Sequence, residues 1–211
     1  MIEQKSDAWF KQRLGLFTAS QISEIMKKGR GKSETFSKTA ISYLRTKIAE
    51  RLTGQREEFS STAMDWGVEQ EPFAIKAYEA LTGKKVTETG FHPLVGFEKW
   101  AGGSPDGLLA DGIGICEIKC PYTSKMHVES LTTKAVPEYY KDKYFAQMQM
   151  NMICTDTQYC DFISFDPRMI DDSHKIVVVR VPRDEDFIIE LLGRIQEAIS
   201  FVKDTKLFEV K

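Results

Sequence analysis

Gly103-Ser104-Pro105-Asp106-Gly107, followed by Ala110-Asp111-Gly112-Ile113-Gly114-Ile115-Cys116-Glu117-Ile118-Lys119-Cys120, is the stretch on which the reading of this chain turns. Asp111-Gly112 between two apolar stretches is a strong signal for a two-residue hairpin loop. With that loop, Asp106 falls opposite Glu117 and Ser104 opposite Lys119. Residues two apart on a strand share a face, so all four side chains lie together. A longer turn over 111–114 places Asp106 opposite Lys119 instead and still leaves the three charges adjacent.

Ile113 and Ile115 precede Glu117 on one side of the second strand, and Cys116, Ile118 and Cys120 line the other. A strand that is apolar on both faces is covered on both. Two carboxylates buried side by side cost several kcal/mol unless a cation sits between them. Lys119 offsets one charge; a divalent cation offsets both. Donors that are all oxygen suit Mg²⁺, with Mn²⁺ able to substitute, rather than zinc. The bland alternative is a structural Glu–Lys pair beside a Pro-Asp-Gly turn, which is common turn chemistry.

Outward from this segment, the pattern alternates helices and strands. A short helix near 20–28, capped by Thr18 or Ser20, ends at the basic stretch Gly29-Arg30-Gly31-Lys32. A second, near 36–53, carries Ile41, Leu44, Ile48 and Leu52 and stops at Gly54. Residues 54–63 read as an exposed polar loop. A third helix, about 65–81, starts at Asp65, with an apolar stripe of Trp66, Phe73, Ala74, Ala77 and Leu81. Short strands fill 85–120. Helices near 123–133 and 137–153 follow, with Pro137 in the first turn of the latter. After strands at 157–165 and 174–181, Asp184 opens a long amphipathic helix with Phe187, Ile188, Leu191, Ile195, Ile199 and Val202 on one face. This order predicts an α/β or α+β fold with a central mixed sheet flanked by helices.

At 211 residues the chain fits one domain over 1–211 with a sizeable core. Its net charge of −2 means that binding to a polyanion must come from local basic patches and bound metal. No apolar run approaches the roughly 20 residues that span a bilayer. The start, MIEQKSDAWF, lacks the cationic and apolar regions of a signal peptide, so an intracellular, cytoplasmic protein is expected. Cys116 and Cys120 lie roughly 13 Å apart along one strand, too far to share a zinc ion, and no CxxC pair exists. Buried free thiols are expected.

Asp, about ten residues, then Glu-x-Lys is the pattern of the PD-(D/E)xK nucleases. The chain resembles the lambda exonuclease and YqaJ-type viral recombinase family at further words in order. These are Asp7-Ala8-Trp9, Arg13-Leu14-Gly15, Thr18-Ala19-Ser20, Trp66-Gly67 with Glu71, Ser104-Pro105-Asp106-Gly107, Glu117 to Pro121, Ala146 to Gln149 and Phe165 to Met169. The resemblance implies that Asp106, Glu117 and the main-chain carbonyl of Ile118 bind the metal. It implies that Lys119 holds or deprotonates a water, or neutralises charge on the phosphate. Glu71 becomes an outer ligand and Gln147 an active-site residue; alone they read as a solvated helix glutamate and a helix–loop hydrogen bond. Arg13, Ser20 and Ser104 match the residues that cradle a terminal 5′-phosphate, a task that suits the arginine fork and hydroxyl donors. Seen alone, Trp9 reads as core. Residues 91–100 depart from the family's pattern, so no acidic helper is assigned there.

The expectation is therefore a processive 5′→3′ exonuclease on double-stranded DNA ends, leaving 3′ tails. By the resemblance it works as a homotrimer, a ring of three, with a single-strand annealing partner. Two alternatives stand beside it: a structure-specific or restriction-type endonuclease, and an inactive DNA-end-binding protein.

Overall fold

In the computed structural model, Gly107 pairs with Cys116 and Leu108 with Ile115, the register of the two-residue loop; the longer turn is excluded. Asp111 Oδ1 accepts the N–H groups of Ile113 and Gly114, and Gly112 takes the left-handed φ of +74° that the bend requires. Residues 2–31, 34–57 and 61–207 are described. Lys32 of the basic stretch and residues 58–60 of the expected loop lie outside them.

Eight strands form among the described residues: β1 (Phe17–Thr18), β2 (Val86–Thr87), β3 (His92–Pro93), β4 (Ala101–Gly103), β5 (Gly107–Leu109), β6 (Gly114–Lys119), β7 (Tyr159–Phe165) and β8 (Ile176–Pro182). Five make a mixed sheet in the order β2-β5-β6-β7-β8, with β6 parallel to β7 and the other pairs antiparallel. A second sheet, β1-β4-β3, was not foreseen. Its strands are two or three residues long and carry no alternation to read.

The helices are α1 (Asp7–Gln12), α2 (Ser23–Met26), α3 (Lys38–Thr53), α4 (Thr62–Thr82), α5 (Ser124–Thr133), α6 (Lys141–Thr155) and α7 (Glu185–Asp204). The central strand is covered on both faces, as its composition demands. Cys116, Ile118 and Cys120 pack with Ala74 and Tyr78 of α4, while Ile115 packs with Met148 and Met152 of α6. Asp184 caps α7 by accepting the Phe187 N–H, and Ile188, Leu191, Ile195, Ile199 and Val202 are buried. Cys116, Cys120 and Cys160 are buried free thiols, and Cys154 is partly buried.

Several expectations need correction. α4 starts earlier, at the cap Ser61, and meets the sheet along Gln70, Ala74 and Tyr78; Phe73 and Leu81 are 54% and 61% exposed. The sequence held two overlapping stripes, and Tyr78 takes the inner one because its hydroxyl finds Asp161 at 2.7 Å. On α3, Leu52 is exposed while Leu44 and Ile48 are buried. The 20–28 helix is a 3₁₀ turn (Ala19–Gln21) followed by the single-turn α2, and neither Thr18 nor Ser20 caps it through its side chain. Pro137 precedes a 3₁₀ turn, Glu138–Tyr140, which leads into α6. No helix of the described residues is long and apolar enough to cross a membrane.

Candidate active site

The two sheets meet at Ser104-Pro105-Asp106. β4 ends at Gly103 in one sheet and β5 starts at Gly107 in the other. Pro105 has no N–H for a ladder, so the chain leaves one sheet and enters the next here. The Gln4 amide holds this crossing, donating to the carbonyls of Pro105 (2.9 Å) and Thr89 (2.7 Å).

The β5–β6 ladder ends at Gly107 and Cys116, so the edge of β6 beyond Cys116 is free on that side. Asp106 fills it: its Oδ2 accepts the Ile118 N–H at 2.6 Å. The carboxylate thus turns into the strand edge rather than standing fully on the shared face that the sequence predicts. The N–H and C=O of a strand residue leave on the same side, so the Ile118 carbonyl faces the same gap. Glu117 is fully buried beneath α6. Its Oε1 accepts from Gln147 Nε2 at 2.5 Å and from the Lys119 ammonium, and its Oε2 accepts from Asn151 Nδ2 at 3.2 Å.

Electrostatics bear the mark of crowded anions. Burial, then the carboxylates of Glu117 and Glu71, push Asp106 up to about 8, against the opposing pull of Lys119 and the Ile118 N–H. Burial alone would lower Lys119, but Glu117 and Asp106 more than offset it and raise its pKa. Glu71 lies on α4, ion-paired with Lys5 at 2.7 Å. Among the described residues no three His, Cys, Asp or Glu side chains converge as a ready cage. The oxygen set is two carboxylates and one carbonyl. Crowded anions with only oxygen donors fit a hard dication.

The second half of the site hangs on the smaller sheet. β1 runs parallel to β4 and delivers Ser20 just beyond its end. Arg13 Nη2 approaches Ser20 Oγ at 3.4 Å, and the guanidinium stacks on Trp9, 3.6 Å from the ring centroid. Trp9 Nε1 donates to Ser104 Oγ at 3.2 Å. Arg13, Ser20 and Ser104 are therefore linked through Trp9, two residues from Asp106. The turn bearing Arg13 is fixed from α3: the Gly15 N–H reaches Glu50 at 2.8 Å, and Arg51 donates to the Gly15 carbonyl at 2.7 Å. Gly15 itself has φ +69°. Burial lowers Arg13 to about 10, and the nearby Arg56 pushes the same way. Arg13 stays a cation at neutral pH, with the Arg56 guanidinium nearby.

A family model, the YqaJ-like viral recombinase domain, matches residues 8–158. The chain belongs to this family. It is 34% identical to an alkaline exonuclease from Laribacter hongkongensis, with a TM-score of 0.82, covering 95% of this chain and 94% of that one. The same enzyme in complex with dAMP gives a TM-score of 0.83 at the same identity and coverage. A phage related exonuclease from Haemophilus somnus 129PT shares the fold at 18% identity, with a TM-score of 0.75, over 90% of this chain and 94% of that one. No curated protein matches. The fold is thus the mixed α/β PD-(D/E)xK type of these YqaJ-like exonucleases.

In this YqaJ-like chain, sequence reading gave Asn151 no role and missed Arg56 and the Lys5–Glu71 pair. Asn151 lies four residues after Gln147 and so shares its helix face. Lys5 and Arg56 reach the site only through long-range packing. Trp9 is buried, as its bland reading had it, yet touches two of the three phosphate candidates.

Proposed function

We propose that this protein is a Mg²⁺-dependent exonuclease, one nuclease domain over 1–211, that degrades duplex DNA 5′→3′ from 5′-phosphorylated ends and leaves 3′ single-stranded tails. The observation that carries the reading is the unbroken path from Arg13 and Ser20 through Trp9 to Ser104 and on to Asp106. It brings the three residues read as phosphate-binding close to a pair of crowded carboxylates.

Asp106, Glu117 and the Ile118 carbonyl hold Mg²⁺, or Mn²⁺ in its place, with Glu71 acting from further out. The chemistry such an ion would supply there is polarisation of the scissile phosphate and acidification of a water. Lys119, whose ammonium reaches Glu117, neutralises charge on the phosphate. Gln147 orients Glu117 through its 2.5 Å hydrogen bond. Arg13, Ser20 and Ser104 hold the terminal 5′-phosphate, and a complex of the Laribacter hongkongensis enzyme with dAMP is in keeping with a nucleotide ligand for this fold. The reading includes a ring of three copies around the duplex, a single-strand annealing partner and work in the cytoplasm.

With Mg²⁺, linear duplex bearing 5′-phosphates is expected to be degraded faster than its 5′-hydroxyl counterpart, and a closed circle to stay intact. Arg13→Met is expected to erase most of the preference for 5′-phosphate while slowing 5′-hydroxyl ends little, since a charged hydrogen bond contributes about 1.5–3 kcal/mol. Equal rates on both ends for the parent would remove the role of Arg13 and Ser20. Cutting of the circle would favour the endonuclease alternative.

A further inference from the structure

Asn151 has no assigned role, and its surroundings are unusual. It is fully buried on α6 and donates Nδ2–H to Glu117 Oε2 at 3.2 Å. Its own Oδ1 is buried with no hydrogen-bond partner. Turning the amide over would aim Oδ1 at a carboxylate oxygen, so the orientation is set by Glu117. The orphaned Oδ1 lies against Gly103: a Cβ on Gly103 would come within 2.4 Å of it. Asn151 therefore touches the carboxylate on the large sheet and the last residue of β4 on the small one.

Gln147 and Lys119 both donate to Glu117 Oε1, and Lys119 reaches partly into solvent. Asn151 alone holds Oε2 among the described residues. A short side chain with two torsions, packed on all sides, fixes a partner more firmly than a long one. Retaining an unsatisfied buried carbonyl is costly for the fold, which points to a use other than stability.

We propose that Asn151 is a positioning residue of the metal site, fixing the plane of the Glu117 carboxylate and tying it to the segment that carries Ser104 and Asp106. The inference rests on the exonuclease reading above. Partners that orient metal-ligating carboxylates typically contribute about 10–100-fold to metal affinity or activity.

The test uses the full chain. Asn151→Leu keeps the branching and the number of side-chain heavy atoms and removes the donor. It is expected to weaken Mn²⁺ binding in calorimetry by about 10-fold and to lower kcat by about 10–100-fold, with the half-saturating concentration of DNA ends unchanged. Gly103→Ala, which leaves Asn151 in place but crowds its Oδ1, is expected to weaken Mn²⁺ binding as well. The Gly103→Ala/Asn151→Ala double variant is expected to bind Mn²⁺ no worse than Asn151→Ala alone, because the clash partner is gone. Asn151→Leu with Mn²⁺ affinity and kcat within two-fold of the parent overturns the proposal. If Asn151→Leu does not fold, the glycine pair decides, and additive losses there overturn it. A parent that does not hydrolyse DNA would instead sink the exonuclease reading, a separate and recognisable failure.

Discussion

Asp106→Asn is expected to slow Mg²⁺-dependent DNA hydrolysis by at least about 10³-fold while making the metal-free protein more heat-stable, not less. Asparagine keeps an oxygen for the Ile118 N–H but removes the charge that Glu117 and Glu71 repel. The sign follows from the raised pKa. The Asp106 carboxyl moves from 3.8 to about 8 on folding, so its ionisation opposes the folded state increasingly as pH rises across that window. In EDTA, the parent should melt below the variant at pH 8 and the two should converge toward pH 4. Added Mg²⁺ should raise the parent's melting temperature and leave the variant's nearly unmoved, because a ligand of the folded state stabilises only where it binds. An Asp106→Asn variant that digests DNA as well as the parent would overturn the metal assignment.

The largest stability effect is expected at Arg168. Asp166 is fully buried and takes Nε and Nη2 of Arg168 at 2.8 and 2.9 Å. The same guanidinium donates to the carbonyls of Tyr122 and Pro121 at 2.9 and 3.0 Å, and so pins the loop that leaves Lys119. Asp166 is buried but the Arg168 side chain is 39% exposed, so water partly takes the guanidinium's place and Arg168→Leu should cost about 1–3 kcal/mol. That corresponds to a melting temperature lower by about 2–12 °C in a chain of this size. Burial alone would raise the Asp166 pKa, but the hydrogen bonds from Arg168 and Ser124 outweigh it and hold it below 3.8. Its stabilising contribution is therefore complete above that value and is lost as pH falls through the lower folded-state one. The gap between parent and variant, measured by thermal melts, should narrow below about pH 4. A constant gap from pH 7 to pH 3 would show that the ion pair is not its source.

These two residues also mark how far the sequence could be read. Asp106 was legible because Asp111-Gly112 specifies its own turn, and a turn fixes which residues of the two strands meet. The doubly apolar strand around Glu117 was legible for the same local reason. The order of helices and strands, the α7 stripe and the buried thiols followed from periodicity and composition. Arg168 was visible only as part of a family word. Its partners at Pro121 and Tyr122 are more than forty residues away, and nothing within its own segment announces them.

The hairpin, its register and the pair of acids it carries were readable from chain order alone, since all of these depend on neighbours in the chain. Packing settled the rest. It built the second sheet that carries Arg13 and Ser20 up to Ser104, chose Tyr78 over Phe73 for the inner stripe of α4, and set Asn151 against Glu117. Short strands, helix facing and long-range hydrogen bonds are settled by which surfaces come to pack together, and no local pattern encodes that.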